Sequence, residues 1–265
     1  MEILIENTSS PGASFTPNTN AVLLKTYQWI CEHQGISLPF KEFRMRLQAD
    51  KKVNDNNNRN IYPLLKNGNL VNYEKGGEIQ VDYFFTNMGL AYVKTLETID
   101  MIENENYSRH QVEEALERFE LIKQEIITNA LYQVMEHKDV NYVEPFQEMI
   151  CFILKFNAIS KLEYAIYLYM RKMEKTDEEL NDVICGYRVG DIDIEVKVNV
   201  RNDLELREKT KSDKRNEGLS YLTSYGYFTS LLLQAGLIVK RDKNYFDIVE
   251  EKRQILEKLG GKINE

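Results

Sequence analysis

Asp191-Ile192-Asp193-Ile194-Glu195-Val196-Lys197 is the stretch whose side-chain types and spacing come nearest to an enzyme site. In metal-dependent nucleases two carboxylates hold Mg2+ and a lysine positions or polarises the attacking water. Glu195-x-Lys197, with Asp182 or Asp191 upstream, has that composition. The alternation of Ile192, Ile194, Val196, Val198 and Val200 with polar residues reads equally well as a strand or extended linker with solvated charges. The chain also lacks the helix-strand alternation that such a catalytic core needs around it. The stretch is therefore expected to be structural, and no residue is assigned a catalytic role.

A second stretch carries a different chemistry. Asn54-Asp55-Asn56-Asn57-Asn58-Arg59-Asn60 stands directly before the apolar run Ile61-Tyr62-Pro63-Leu64-Leu65. Asn and Arg pair bidentately with adenine and guanine edges in a DNA major groove. Backbone N–H groups at a helix N-terminus also favour phosphate. Arg59, Asn57 and Asn60 are the candidates for base edges, and Asn56 and Asn58 for phosphates. Asn and Asp also favour caps and turns, so at least one of the tract is expected to cap the helix instead. Lys51 and Lys52 stand just before it. A second patch, Lys209-Thr210-Lys211-Ser212-Asp213-Lys214-Arg215-Asn216, supplies phosphate-binding cations together with Ser212, Asp213 and Asn216. The competing reading of such a run is a solvated charged face.

Other chemistries are not supported. His33, His110 and His137 are scattered, no C-x-x-C occurs, and so no zinc motif or metal site is expected. Cys31, Cys151 and Cys185 have no paired spacing, which fits a reducing cytoplasm. There is no phosphate-binding glycine loop. No basic leader with an apolar run opens the chain, and no membrane span is expected. The net charge of -8 counts against non-specific nucleic-acid binding. That mean hides a segregation: acids concentrate at 97–125 and 174–193, bases at 41–52 and 209–215.

The elements that must position these residues follow from periodicity. Residues 1–20 offer turn and polar chemistry and are expected to form an arm, with Ser14, Thr16 and Asn18 as DNA contacts. From 21 to 97, one helix carries Val22, Leu23, Tyr27 and Ile30 and stops at Gly35. A second is capped by Ser37, holds Pro39 in its first turn and buries Phe40, Phe43 and Leu47. The Asn tract opens a third, which buries Ile61, Leu64 and Leu65, with Pro63 bending it or lying in its first turn. Leu70–Glu74 and Ile79–Phe85 read as strands joined through Gly76-Gly77. Thr86-x-x-Gly89-x-x-Tyr92 then starts a helix. Residues 98–143 form a helical spacer with a capping box at Ser108. From 144 to 261 helices start at the capping boxes Ser160-x-x-Glu163 and Thr176-x-x-Glu179. Strands at 235–239 and 245–248 and a helix at 250–259 follow the aromatic helix of 219–232. The expected class is mainly α with small β-wings: two tandem winged-helix subdomains joined by a helical spacer.

With these elements in place, the chain resembles the DNA-recognition half of Type IIS restriction endonucleases of the AlwI and FokI kind. The residues that carry the resemblance are Ile159-Ser160-Lys161-Leu162-Glu163-Tyr164-Ala165 and the block Lys211–Val239, with Tyr225-Gly226-Tyr227-Phe228 and Ala235-Gly236-Leu237-Ile238-Val239 inside it. Thr86-x-x-Gly89-x-x-Tyr92 closes the first module in a similar way. The resemblance implies a double-stranded DNA partner with a short asymmetric site and a monomeric recognition fragment. It also implies that cleavage belongs to a further C-terminal, Mg2+-dependent nuclease domain, so that this chain needs no cofactor. The alternatives are a winged-helix transcriptional regulator, which predicts a dimer on palindromic half-sites, and a self-contained Mg2+-dependent nuclease using Glu195 and Lys197.

Overall fold

The computed structural model describes residues 1–5, 7–53, 60–104, 109–198, 219 and 222–261. The chain is mainly helical, with small sheets. In chain order the elements are β1 (Glu2–Ile5), α1 (Pro17–Glu32), β2 (Ser37–Pro39), α2 (Phe40–Lys51), α3 (Ile61–Asn67), β3 (Glu78–Gln80), a 3-10 turn (Val81–Tyr83), α4 (Asn87–Asn104) and α5 (Arg109–Glu136). They continue with α6 (Val143–Phe156), β4 (Ala158–Ser160), α7 (Lys161–Lys172), α8 (Asp177–Val189), β5 (Glu195–Val198), α9 (Thr223–Gln234), β6 (Ile238–Lys240), β7 (Tyr245–Ile248), a second 3-10 turn (Glu250–Lys252) and α10 (Arg253–Leu259). Two compact units result. Unit 1 holds Met1–Ser10, Glu144–Thr229 and Leu237–Glu265; unit 2 holds Pro11–Val143 and Ser230–Gly236.

In unit 2, Thr16 caps α1 by accepting from Thr19 N, and Pro17 takes the first helical position, where a missing N–H costs little. Leu23, Thr26, Trp29 and Ile30 form the buried stripe of α1. The turn expected to cap α2 is instead strand β2, antiparallel to β3, with Leu38 opposite Ile79. Pro39 is the residue before the helix, with extended backbone, and the Ser37 hydroxyl reaches Glu78 Oε2 at 3.4 Å rather than the helix. Phe40, Phe43 and Leu47 are buried as expected. In α3 the rigid ring of Pro63 lies in the first turn, exposed, while Ile61, Tyr62, Leu64 and Leu65 are buried.

The hairpin departs from two simple strands. Glu78–Gln80 pairs with β2, and only Val71 and Phe85 form a bridge across the expected pair, flanked by Asn72 N→Phe84 O at 2.7 Å and Thr86 N→Leu70 O at 3.1 Å. The 3-10 turn at Val81–Tyr83 explains this. A strand sends successive side chains to opposite faces, yet adjacent Phe84 and Phe85 are both buried. The turn breaks the alternation and leaves Tyr83 outside, 69% exposed. Residues 98–143, read from sequence as a spacer, lie within unit 2. The second half of α5 buries Ile126, Ile127, Ala130, Leu131 and Val134, while Glu114 and Arg118 pair on an exposed face of its first half. Ser108 falls outside the described residues.

In unit 1, β4, β7 and β6 form an antiparallel sheet in the order β4-β7-β6. Ile159 stands opposite Phe246, and Val239 opposite Asp247. Both expected capping boxes are present, Ser160 with Glu163 and Thr176 with Glu179. Gly190 at φ 84 ends α8 in the left-handed conformation that glycine adopts without penalty. β1 pairs in parallel with β5, Ile3 opposite Val196. α6 buries Phe146, Met149, Ile150 and Ile153, and Phe146 stacks on Phe228 of α9 at 4.7 Å between ring centroids.

Candidate nucleic-acid interface

Asn56, Asn57, Asn58 and Arg59 lie outside the described residues, as do Asn54 and Asp55. The positions flanking them are anchored. Val53 is buried before the tract and Ile61 after it. Asn60 is exposed at the residue before α3 and makes no side-chain cap bond. Its side chain lies beside Gly12, where a Cβ would stand 3.5 Å from Asn60 Nδ2. Lys51 closes α2 with Nζ 2.6 Å from Glu32 Oε1. Lys52 is exposed at φ 53, a left-handed conformation that an L side chain rarely adopts. On the same helix Arg46 pairs with Glu42 at 2.6 Å, and the Arg44 guanidinium lies over the Phe40 ring.

The expected arm contacts separate. Ser14 is buried, 5% exposed; its hydroxyl accepts from Ser230 Oγ at 3.0 Å, and its carbonyl accepts from Thr16 N and Thr19 Oγ1. Its polar atoms face the protein because they finish the approach to α1. Thr16 is engaged as the cap of α1, and Asn18, in the first turn of α1, is exposed. Further upstream, Glu2–Ile5 is strand and not loose chain. Asn7 Nδ2 donates to Thr223 Oγ1 at 2.7 Å, while Asn7 Oδ1 accepts from Ser224 N at 3.2 Å and Ser224 Oγ at 2.9 Å. Asn7 is thus a helix cap for α9 supplied from the far end of the sequence.

Lys209, Lys211, Ser212, Asp213, Lys214, Arg215 and Asn216 fall outside the described residues, as does Tyr221. Ser224, soon after that patch in sequence, is fully buried and holds Asn7. The aromatic residues Tyr225 and Phe228 are core. On α9, Thr223 and Gly226 are exposed, and Tyr227 and Ser230 are half-buried.

Around β5, Ile194 and Val196 are buried while Asp193 and Glu195 are exposed, the alternation of a strand with one covered face. Glu195 N bonds Met1 O at 2.9 Å. The side chain of Lys197 is outside the description. Among the described residues no group of three or more His, Cys, Asp or Glu side chains is placed to hold a metal ion.

Two of the motifs singled out in the sequence act as structural joints. Thr86 Oγ1 accepts from Gly89 N at 3.0 Å and donates to Asn69 O at 2.7 Å. A Cβ on Gly89 would lie 1.9 Å from Leu70 O, and the Tyr92 hydroxyl donates to Asn20 Oδ1 at 2.9 Å. Thr86-x-x-Gly89-x-x-Tyr92 therefore locks the hairpin to α4 and α1. In unit 1, Glu163 is buried and joins Ser160 N at 2.9 Å and Arg188 Nε at 2.6 Å. Burial, followed by the charge of Glu163, pushes the Tyr245 phenol up to about 12 and raises that of Tyr225. Burial also lowers the pKa of Lys161, at the first position of α7. A cleft of about 530 Å3 beside the hairpin is lined by Lys66, Asn69, Asn72, Tyr73, Glu78 and Tyr83, among others.

No helix among the described residues is long and apolar enough to cross a membrane. No protein-family model, curated protein or solved structure matches the chain.

Proposed function

We propose that the chain recognises a short asymmetric sequence in double-stranded DNA through two unlike winged-helix modules, as the recognition half of a Type IIS restriction endonuclease does. The observation that carries this reading is the order of unit 1: α6, β4, α7, then α9, β6 and β7, with the sheet ordered β4-β7-β6. Helix, strand, helix, helix and a two-stranded hairpin whose second strand pairs with the first strand is the winged-helix order. α8 and β5 stand between α7 and α9 as an insertion. Unit 2 supports the same order with α1, β2, α2, α3 and the hairpin that ends at Thr86.

In this reading α3 and α9 enter the major groove. The Asn tract with Arg59 leads the first, and the basic run Lys209–Asn216 leads the second. Lys52 and Asn18 add contacts from unit 2. The acidic mean charge then restrains non-specific binding. Mg2+ and hydrolysis belong to a nuclease domain and not to Glu195 and Lys197, and the recognition module is monomeric on DNA.

Selection of bound duplexes from a random pool, at stated salt, tests this. The expected outcome is an asymmetric consensus, and Arg59→Ala lowers discrimination at one guanine by about 1–3 kcal/mol. Absence of any enriched sequence overturns the reading; a palindromic consensus bound by dimers favours a regulator instead.

A further inference from the structure

The hairpin of unit 2 stays open, and the space between its arms is a cleft. The arms meet around the Val71–Phe85 bridge, and the 3-10 turn at Val81–Tyr83 then carries the second arm away. The strand of that arm, β3, pairs with β2 instead. Phe40 N bonds Gly77 O and Val81 N bonds Ile36 O, so positions 77, 79 and 81 face β2. The N–H groups of Glu78 and Gln80 turn away from β2, as alternate positions of an antiparallel pair do. The cleft of about 530 Å3 falls within the roughly 300–1,000 Å3 of small-ligand sites.

Its lining selects a chemistry. Val71 and Ile79 are buried and give it an apolar floor. Tyr83 stands in the wall 69% exposed, so its ring offers a face on which a flat ring can stack. Tyr73 is fixed beside it, stacked on Phe40 at 4.2 Å with Lys66 Nζ 5.3 Å from its ring centre. Asn72 steadies the wall by donating from Nδ2 to Tyr83 O at 3.3 Å. Asn69 and Gln80 line the cleft with exposed amides, whose side chains make no hydrogen bond among the described residues. Such amides match the paired donor and acceptor atoms on a base edge, and the carboxylates of Glu74 and Glu78 accept from exocyclic amino groups. Lys66 is the single cation among the described lining residues and faces those two carboxylates, so the lining repels a phosphate and admits the uncharged ring. A base inside a duplex is stacked on both sides, so the ring that enters is unpaired.

We infer that the cleft of the unit 2 hairpin binds an unpaired nucleobase, stacked on Tyr83 and held at its edge by Asn69 and Gln80. The same chemistry serves a base of a single strand, a base turned out of a duplex and a free nucleoside. The inference goes beyond the function proposed above and does not need it, since its probes carry no target sequence.

Calorimetric titration of the full chain tests it, with adenosine, guanosine, cytidine and thymidine, a mixed-sequence single strand, and methyl glucoside as the control without a flat ring. The wild type is expected to bind at least one nucleoside or the single strand, and not the glucoside. Tyr83→Ala is expected to weaken that binding on the order of tenfold, and Tyr83→Phe, which keeps the ring, to change it by about twofold or less. Gln80→Ala is expected to level the preference among the bases. Both positions are exposed, and thermal melting checks that each variant is folded; if Tyr83→Ala does not fold, Gln80→Ala decides. Nucleoside binding assigns a free or turned-out base, and binding of the strand alone assigns a single strand. 2-Aminopurine placed in a duplex selected by the wild type brightens where a base is turned out. The inference is overturned if no base-bearing probe binds, if folded variants bind as the wild type does, or if the glucoside binds equally well. Those results leave the two-module DNA reading to its own selection experiment. A chain that selects no duplex but binds nucleosides through Tyr83 loses that reading and keeps this one.

Discussion

Arg188 on α8 donates through Nε to Oε1 of Glu163 on α7 at 2.6 Å. Glu163 has no exposure, and its other oxygen accepts from Ser160 N. The remaining guanidinium nitrogens donate to Phe156 O at 3.0 Å and Ala158 O at 3.2 Å. One ion pair thus ties α8 to the end of α6, to β4 and to the start of α7. Helix α9 stands on this joint, because Tyr225 packs near Tyr164 and reaches Ile159 O.

Glu163→Ala is expected to destabilise the chain by about 3 kcal/mol, because it removes the cap and leaves Arg188 without its carboxylate. Glu163→Gln keeps an acceptor for Ser160 N and is expected to cost less. Urea unfolding of the two variants gives the order; equal losses would mean that the charge contributes little.

The hairpin joint is expected to be equally sensitive. Gly89→Ala forces a methyl into the Leu70 carbonyl and should cost about 3 kcal/mol. Thr86→Ala removes only the cap bonds and should cost about 1 kcal/mol. Chemical denaturation should place Gly89→Ala clearly below Thr86→Ala, and the reverse order would contradict the close approach.

Lys52 separates stability from binding. Replacing it with glycine relieves a left-handed lysine and is expected to stabilise the chain by up to about 1 kcal/mol. On the proposed DNA reading the same change also removes a phosphate contact, so DNA affinity should fall and the salt slope should drop by about one. Melting curves and titrations at several salt concentrations would show both effects. A gain in stability with an unchanged salt slope would remove Lys52 from the interface.

Tyrosine ionisation should expose the buried ring layer of unit 1. Burial raises the phenols of Tyr167 and Tyr245 to about 12, above their ordinary value of 10.0. A raised folded-state pKa gives stability that is complete below the unfolded value and lost as pH rises through the folded one. Stability is therefore expected to hold up to about pH 10 and to fall between roughly pH 10 and 12. Phenolate absorbance followed alongside unfolding should show some tyrosines ionising only with the loss of structure.

Local signals made much of the architecture legible. The capping boxes at Ser160 and Thr176 and the stripe Phe40, Phe43, Leu47 are relationships within one or two helical turns, and the structure contains them. Pairings between distant segments left no such trace. Ser37 and Pro39 look like the start of a helix until Glu78–Gln80 comes alongside and takes them as a strand edge. Asn7 looks like part of a loose arm because the helix it caps begins at Thr223. Phe84-Phe85 fits a strand pattern, but burying both rings needs the 3-10 turn. At the candidate interface, residue type alone marked the Asn tract and the basic run.

The parallel pairing of β1 with β5 sets an order of events during synthesis. Met1 meets Asp193 across 192 positions, so β1 leaves the ribosome long before its partner strand exists. At about 5–20 residues per second, that wait is on the order of ten seconds or more. Residues 11–143 emerge in that interval, yet their unit is completed only by Ser230–Gly236. Each unit therefore waits for chain that is made after the other has begun. A gene cut at position 143 would leave both halves without a strand or a helix end, so dissecting the two units calls for a permuted chain and not a truncated one.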